Sequence, residues 1–175
     1  MDKDSCLSAC GAGGGGGSGA LVFLDSDEAT IDKSDLEVTG LTKYDNYVVL
    51  IDSKNASGTN TPHLRFNGLS TSVYAWTYIN VITQTSGTSD DEIDLTAISS
   101  ADSFYSVQVY VQNDLATSKS MTWLSGQGTS GTAAAAARYG SGTVDVGDID
   151  QITFYYDVGN VRAGSRMKVY GVVNA

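Results

Sequence analysis

The stretch Phe104–Gln112 reads FYSVQVYVQ, and it is the part of the sequence that decides the fold. Its apolar and polar residues alternate. One face carries Tyr105, Val107, Val109 and Val111, and the other carries Ser106, Gln108 and Gln112. This period of two predicts a β-strand with one face in a core and the other in water.

Comparable short runs occur on both sides of this stretch. The predicted strands are Leu21–Leu24, Ala29–Ile31, Leu36–Val38, Tyr47–Ile51, Leu64–Phe66, Val73–Val81, Ile93–Leu95, Ser120–Leu124, Ile149–Val158 and Met167–Val173. Tyr47–Ile51 is apolar at every position, which predicts a central strand covered on both faces. Roughly nine to eleven strands, with Gly, Asn and Asp turns between them, are typical of an antiparallel β-sandwich or jelly roll. The expected fold class is therefore all-β.

Two segments deviate from this pattern. Gln84–Glu92 is polar and acidic, and it is predicted to be a loop. Ala133–Ala137 is a run of five alanines between glycine-rich flanks. Because so short a run cannot nucleate a helix alone, it is predicted to be a strand of small side chains packed closely against another surface.

The N-terminal residues 1–19 differ in composition from the remainder of the chain. They are rich in glycine, which predicts a flexible arm or anchor, and residues 20–175 are expected to form the β-sandwich domain. Both cysteines of the chain, Cys6 and Cys10, lie in this arm. They are interpreted either as incidental thiols or as a partner-binding tether through an intermolecular disulfide.

The charge balance argues against two classes of partner. The 175-residue chain has a formal net charge of -10, which should repel phosphate backbones and anionic lipid surfaces. Binding to nucleic acid or to a membrane is therefore not expected.

No catalytic, metal or cofactor site is expected from the sequence. His63 is the single histidine and is predicted to lie on an edge strand with its ring half exposed. The acidic cluster from Asp90 to Asp94 is the best candidate for calcium, but it lacks the EF-hand spacing and is interpreted as a solvated loop. Paired carboxylates of a glycosidase cannot be identified from sequence spacing alone.

Tyr74, Trp76 and Tyr78 share one face of a predicted strand. If that face is buried, the three rings belong to the core. If it is exposed, they form a partner-binding platform for another subunit or for a sugar, because such rings combine an apolar body with a polar atom. The sequence leaves both alternatives open.

The C-terminal sequence AGSRMKVYGV resembles a signature of bacteriophage structural proteins, among them tail-fibre, head-fibre and capsid-decoration domains. A second similarity is the Tyr-Asp-x-Tyr strand followed by a Leu-Arg-Phe strand. The matching residues are Tyr44, Asp45, Tyr47, Leu64, Arg65, Phe66, Gly164, Ser165, Tyr170 and Gly171. They lie in patches between Leu36 and Val173. Of these, Gly164 suits a tight turn with positive φ, and Gly171 predicts a bulge or a close backbone approach.

This resemblance implies a jelly-roll-like protein of the virion and not an enzyme. Its expected role is that of a capsid decoration or fibre module in assembly, stabilisation or attachment. The implied partners are other virion proteins, such as capsid or tail subunits, and further copies of the chain, with a trimer as one form. The alternative is a carbohydrate-binding module that stacks a host surface glycan on Trp76 or Trp123.

Overall fold

A computed structural model describes residues 20–41, 44–56, 60–80, 83–95, 104–114, 117–128 and 136–173. These residues form twelve β-strands and no helix. The strands are β1 (Ala20–Glu28), β2 (Asp35–Thr39), β3 (Asn46–Lys54), β4 (Pro62–Phe66), β5 (Tyr74–Asn80), β6 (Thr83–Asp90), β7 (Ile93–Asp94), β8 (Phe104–Gln112), β9 (Lys119–Gly128), β10 (Ala136–Val144), β11 (Gln151–Tyr156) and β12 (Arg166–Val173). Within these ranges there is consequently no helix able to cross a membrane.

The strands form two antiparallel sheets. The larger sheet has eight strands in the order β1-β12-β3-β8-β9-β10-β5-β6, and the smaller has four in the order β2-β11-β4-β7. The predicted antiparallel β-sandwich is confirmed.

The pairing pattern is that of a jelly roll. Eight strands remain when β5, β6, β9 and β10 are set aside. In chain order the first of these pairs with the last, the second with the second last, and so on toward the middle. The pairs are β1 with β12, β2 with β11, β3 with β8, and β4 with β7. The chain therefore wraps like one long hairpin into two facing sheets, as in a double Greek key. The four remaining strands extend the larger sheet beyond β8.

The core lies between the inner faces of the two sheets. On the larger sheet it includes Tyr47, Val49, Ile51, Tyr105, Val107, Val109 and Val111, and on the smaller sheet Leu36, Val38, Leu64, Phe66, Ile152 and Phe154. The rings of Tyr105 and Phe154 stack across this layer with centroids 6.4 Å apart. The alternation seen in Phe104–Gln112 thus corresponds to the core side and the water side of β8.

The structure corrects the prediction for Tyr47–Ile51. The strand is central in its sheet, but only its inner face is covered by the smaller sheet. Leu50 is 37% exposed on the outer face, and Val48 beside it is shielded by neighbouring side chains of the same sheet. Among the described residues no second layer covers the outer face, so the continuous apolar run corresponds to an apolar outer surface.

Two further local predictions are wrong, and a third holds only in part. Gln84–Glu92 is not a loop, because most of it forms the edge strand β6, which pairs with β5 and has solvent on its polar faces. Ala29–Ile31 is not a strand. Ala29 at its start is buried, whereas Ile31 at its end is 72% exposed. Of the alanine run, Ala136 and Ala137 begin the predicted strand, but Ala137 is exposed and not packed against another surface, and residues 133–135 lie outside the described residues.

The prediction for Gly164 is confirmed, whereas the close approach at Gly171 is made by a side-chain ring and not by a backbone. Gly164 has a φ of 85° in the turn before β12. Gly171 lies mid-strand beneath the ring of Tyr44, where an added Cβ would clash with the ring.

Candidate functional site

The aromatic face of β5 points into the sandwich. Tyr74 is 1% exposed. Its hydroxyl accepts a hydrogen bond from the Phe66 backbone N–H at 3.0 Å and donates to the Leu69 carbonyl at 3.1 Å. Burial raises the pKa of this hydroxyl, an effect that the bond to Phe66 opposes. Tyr74 is thus a core residue that ties β5 to the turn after β4.

The two tryptophans are also turned inward. Trp76 is 8% exposed, its Nε1 donates to Asp90 Oδ2 at 2.8 Å, and its ring stacks on the partly buried Tyr78 at 5.7 Å. Trp123 is 2% exposed, and its Nε1 donates to the Leu95 carbonyl at 3.2 Å. Both indoles therefore lie mostly inside the sandwich, and the stacking of a sugar on either of them stays a prediction.

The predicted tether of Cys6 and Cys10 lies outside the described residues and stays a prediction.

The outer face of the larger sheet carries exposed apolar side chains instead. Ile79, Tyr139 and Leu124 are cross-strand neighbours on β5, β10 and β9, and they are 42%, 57% and 60% exposed. Together with Tyr110 on β8, Tyr139 and Leu124 border a shallow groove of about 350 Å³ that also takes in Gln108 and Thr122. Sequence alternation predicts which residues share a face, but not that none of the described residues covers this part of the sheet.

The first half of β1 forms an unusual edge. Among the described residues, β1 is the outermost strand of the larger sheet and pairs only with β12. Leu21, Val22 and Phe23 are 55%, 38% and 54% exposed, so apolar side chains protrude on both faces of β1. The backbone edge of β1 that faces away from β12 pairs with no other described strand of the sheet. Long apolar edges of this kind are templates for pairing with another strand.

The second half of β1 is protected in contrast. A bulge follows Phe23, and Asp25, Asp27 and Glu28 come after it. Asp27 pairs with Lys33 and accepts a hydrogen bond from the Glu37 backbone N–H at 2.7 Å, which brings β2 against this half. Bulges and charges are common means of blocking an edge, so the open region is confined to residues 20–24.

A polar cluster lies in the smaller sheet around His63. His63 is on β4 directly opposite Asp94 on β7, and it is only 4% exposed. Its Nδ1 lies 2.8 Å from Asp94 Oδ1 and 3.3 Å from Glu92 Oε1. The half-exposed edge position expected for His63 is wrong, because β7 covers that edge of β4.

Cationic and aromatic groups surround this cluster. The ring of Tyr155 stacks on His63 with centroids 5.3 Å apart, and the Arg65 guanidinium lies 4.7 Å from the Tyr155 centroid. Arg65 also contacts Glu92 Oε2 at 2.8 Å. Burial raises the pKa of the Glu92 carboxyl, and the charges of His63 and Arg65 oppose that rise.

The cluster has the composition of a metal-ligand set. Among the described residues, His63, Glu92 and Asp94 are the group whose ligand atoms lie within 4.8 Å of one another. The carboxylates are only 19% and 28% exposed, so the expected solvated acidic loop is wrong for this pair. Sequence analysis missed the cluster because it depends on the pairing of β4 with β7, which are distant in sequence.

Comparison with known proteins finds no matching family model and no significantly similar curated sequence.

Proposed function

We propose that the protein is a structural subunit of a virus particle, a decoration or fibre module that associates with further copies of itself through the open half of β1. The observation that carries the assembly role is the exposed apolar edge at Leu21, Val22 and Phe23. The resemblance to bacteriophage structural domains supplies the virion setting.

The edge is complementary to itself. If β1 of a second copy pairs antiparallel about Val22, then Leu21 meets Phe23 of the second copy and Ala20 meets Leu24, so every pair is apolar. Sliding the register toward Asp25 would place carboxylates against apolar side chains. A two-fold contact requires such self-complementarity, and most soluble oligomers are symmetric.

The fold is compatible with the proposal. Jelly rolls occur in viral capsid and lectin domains and in cupins, and a fold alone does not fix a function. The net charge of -10 makes copies repel at long range, so association must depend on short-range apolar burial. Higher salt screens that repulsion and should strengthen the assembly.

Light scattering of the full chain under reducing conditions tests the assembly role. We expect an oligomer that persists or grows as salt is raised. Val22→Lys should shift the mass toward the monomer, because a lysine on the edge blocks strand pairing. Leu124→Lys, at a more exposed position in mid-sheet, is the control and should leave the mass unchanged. A monomeric wild type at high concentration would refute the assembly role, and an oligomeric Val22→Lys protein would refute the edge.

Glycan binding is the second candidate, and the groove beside Tyr110 and Tyr139 favours it. Here two tyrosine rings lie next to the polar side chains Gln108 and Thr122, a combination that suits sugar stacking with hydrogen bonds. A glycan array probed with wild type, Tyr139→Ala and Val22→Lys separates the two functions. Binding that is lost only in Tyr139→Ala would support this candidate, and a blank array would refute it.

A further inference from the structure

We propose that His63, Glu92 and Asp94 form a binding site for one divalent transition-metal ion of the zinc class. The site is independent of the proposed assembly edge, because it lies in the smaller sheet and shares no residue with β1.

The separations of the ligand atoms fit a common ion. With metal–ligand distances of about 2.1 Å, neighbouring ligand atoms lie about 3.0 Å apart around an octahedral ion and about 3.4 Å apart around a tetrahedral one. His63 Nδ1 lies 2.8 Å from Asp94 Oδ1 and 3.3 Å from Glu92 Oε1. Small rotations of the carboxylates would therefore admit an ion between the three atoms.

The histidine supplies a second, independent indication. His63 is 96% buried, and neither of its ring nitrogens has a hydrogen-bond partner among the described residues. Its short contacts to the two carboxylates lack hydrogen-bond geometry. Buried polar atoms are nearly always satisfied, so an unmatched imidazole aimed at two carboxylates points to an absent ligand.

The ligand types select the metal class. One imidazole and two carboxylates suit zinc, manganese or cobalt, whereas calcium prefers oxygen ligands alone. Arg65 holds the outer oxygen of Glu92 and leaves Oε1 directed toward His63, as a supporting contact commonly does at metal sites. The partly exposed Glu92 and Asp94 leave a route for the ion to enter.

The ion would fix a connection between the two sheets. The chain leaves the larger sheet at Asp90, passes through Asp91 and Glu92, and enters the smaller sheet at Ile93. An ion on Glu92, Asp94 and His63 ties this connection to β4. Binding to the folded form alone should therefore raise the unfolding temperature.

Zinc titration of the full chain tests the proposal. Cys6→Ser and Cys10→Ser are introduced as a background, because free thiolates also bind zinc. Calorimetry should then give one equivalent of bound Zn²⁺ and a higher unfolding temperature. The chain has a single histidine, so the nitrogen signals of ¹⁵N-labelled histidine report on His63 directly and should shift on binding.

Matched carboxylate variants locate the site. Asp94→Asn should weaken Zn²⁺ binding by about 100-fold or more, since the loss of a direct ligand exceeds the usual effect of a supporting residue. Asp91→Asn removes an adjacent carboxylate that is not a ligand and should leave the affinity unchanged. If His63→Gln fails to fold, the imidazole signals of the folded parent still decide the question.

Three results would overturn the metal site. The first is the absence of Zn²⁺ binding with unshifted imidazole signals. The second is equal affinity in Asp94→Asn and Asp91→Asn. The third is tighter binding of Ca²⁺ than of Zn²⁺.

Discussion

Replacing Tyr74 by phenylalanine tests whether the aromatic face of β5 acts through the core. The change keeps the ring and removes only the hydroxyl. That hydroxyl accepts from the Phe66 backbone N–H at 3.0 Å and donates to the Leu69 carbonyl at 3.1 Å. No cavity of ring size is created, so the effect isolates the polar contacts.

The expected cost follows from what each partner loses. Phe66 is fully buried, and a buried N–H left without its acceptor costs about 1–3 kcal/mol. Leu69 is partly exposed, so water can replace the lost donor to its carbonyl at little cost. We expect Tyr74→Phe to lower the free energy of unfolding by about 2 kcal/mol. For a domain of this size the unfolding temperature should fall by about 4–8 °C.

Urea denaturation followed by tryptophan fluorescence measures this loss, because Trp76 and Trp123 are buried reporters. Protein concentration is held fixed, since association would shift the apparent stability. Tyr78→Phe, at a partly exposed position on the same face, is the control and should lose far less. A change below about 0.5 kcal/mol for Tyr74→Phe would refute the structural role of its hydroxyl.

Two further predictions concern packing and pH. Gly140→Ala should destabilise by about 1–3 kcal/mol. Its Cβ would lie 2.8 Å from the Thr77 carbonyl oxygen and against the Trp123 ring, whereas Gly126→Ala, with open space around it, should be nearly neutral in the same thermal assay. Burial raises the pKa of Tyr156, so its contribution to stability is complete below about pH 10, where the unfolded chain titrates, and is lost as the pH rises further. Urea midpoints between about pH 9 and 11.5 should fall steeply in the wild type and less steeply in Tyr156→Phe; parallel slopes would contradict this.

Local pattern was sufficient to predict much of the sandwich. The alternation in Phe104–Gln112 depends only on the neighbours of each residue, and the strand lies where that pattern puts it. β6 was missed for the same reason. A polar edge strand has water on its exposed side, so its sequence carries no apolar alternation, and its backbone pairing with β5 stabilises it.

The candidate sites depend on information that local pattern does not contain. Whether Tyr74 faces a core or a partner is decided by the second sheet, and whether Leu21 to Phe23 are exposed is decided by the position of β1 at the edge. His63 and Asp94 meet because β4 pairs with β7. Each of these facts follows from the order of strands, which the wrapping of the whole chain determines.

The same wrapping makes the two proposed sites separable. The open half of β1 lies at one edge of the larger sheet, and the His63 cluster lies on β4 and β7 in the smaller sheet. Residues without shared partners usually have additive effects on stability. Val22→Lys should therefore abolish association while Zn²⁺ binding persists. Asp94→Asn should weaken Zn²⁺ binding while association persists. If Zn²⁺ instead changed the oligomer mass in the Cys6→Ser, Cys10→Ser background, the ion would act at a contact between copies, and the assignment of assembly to β1 alone would fail.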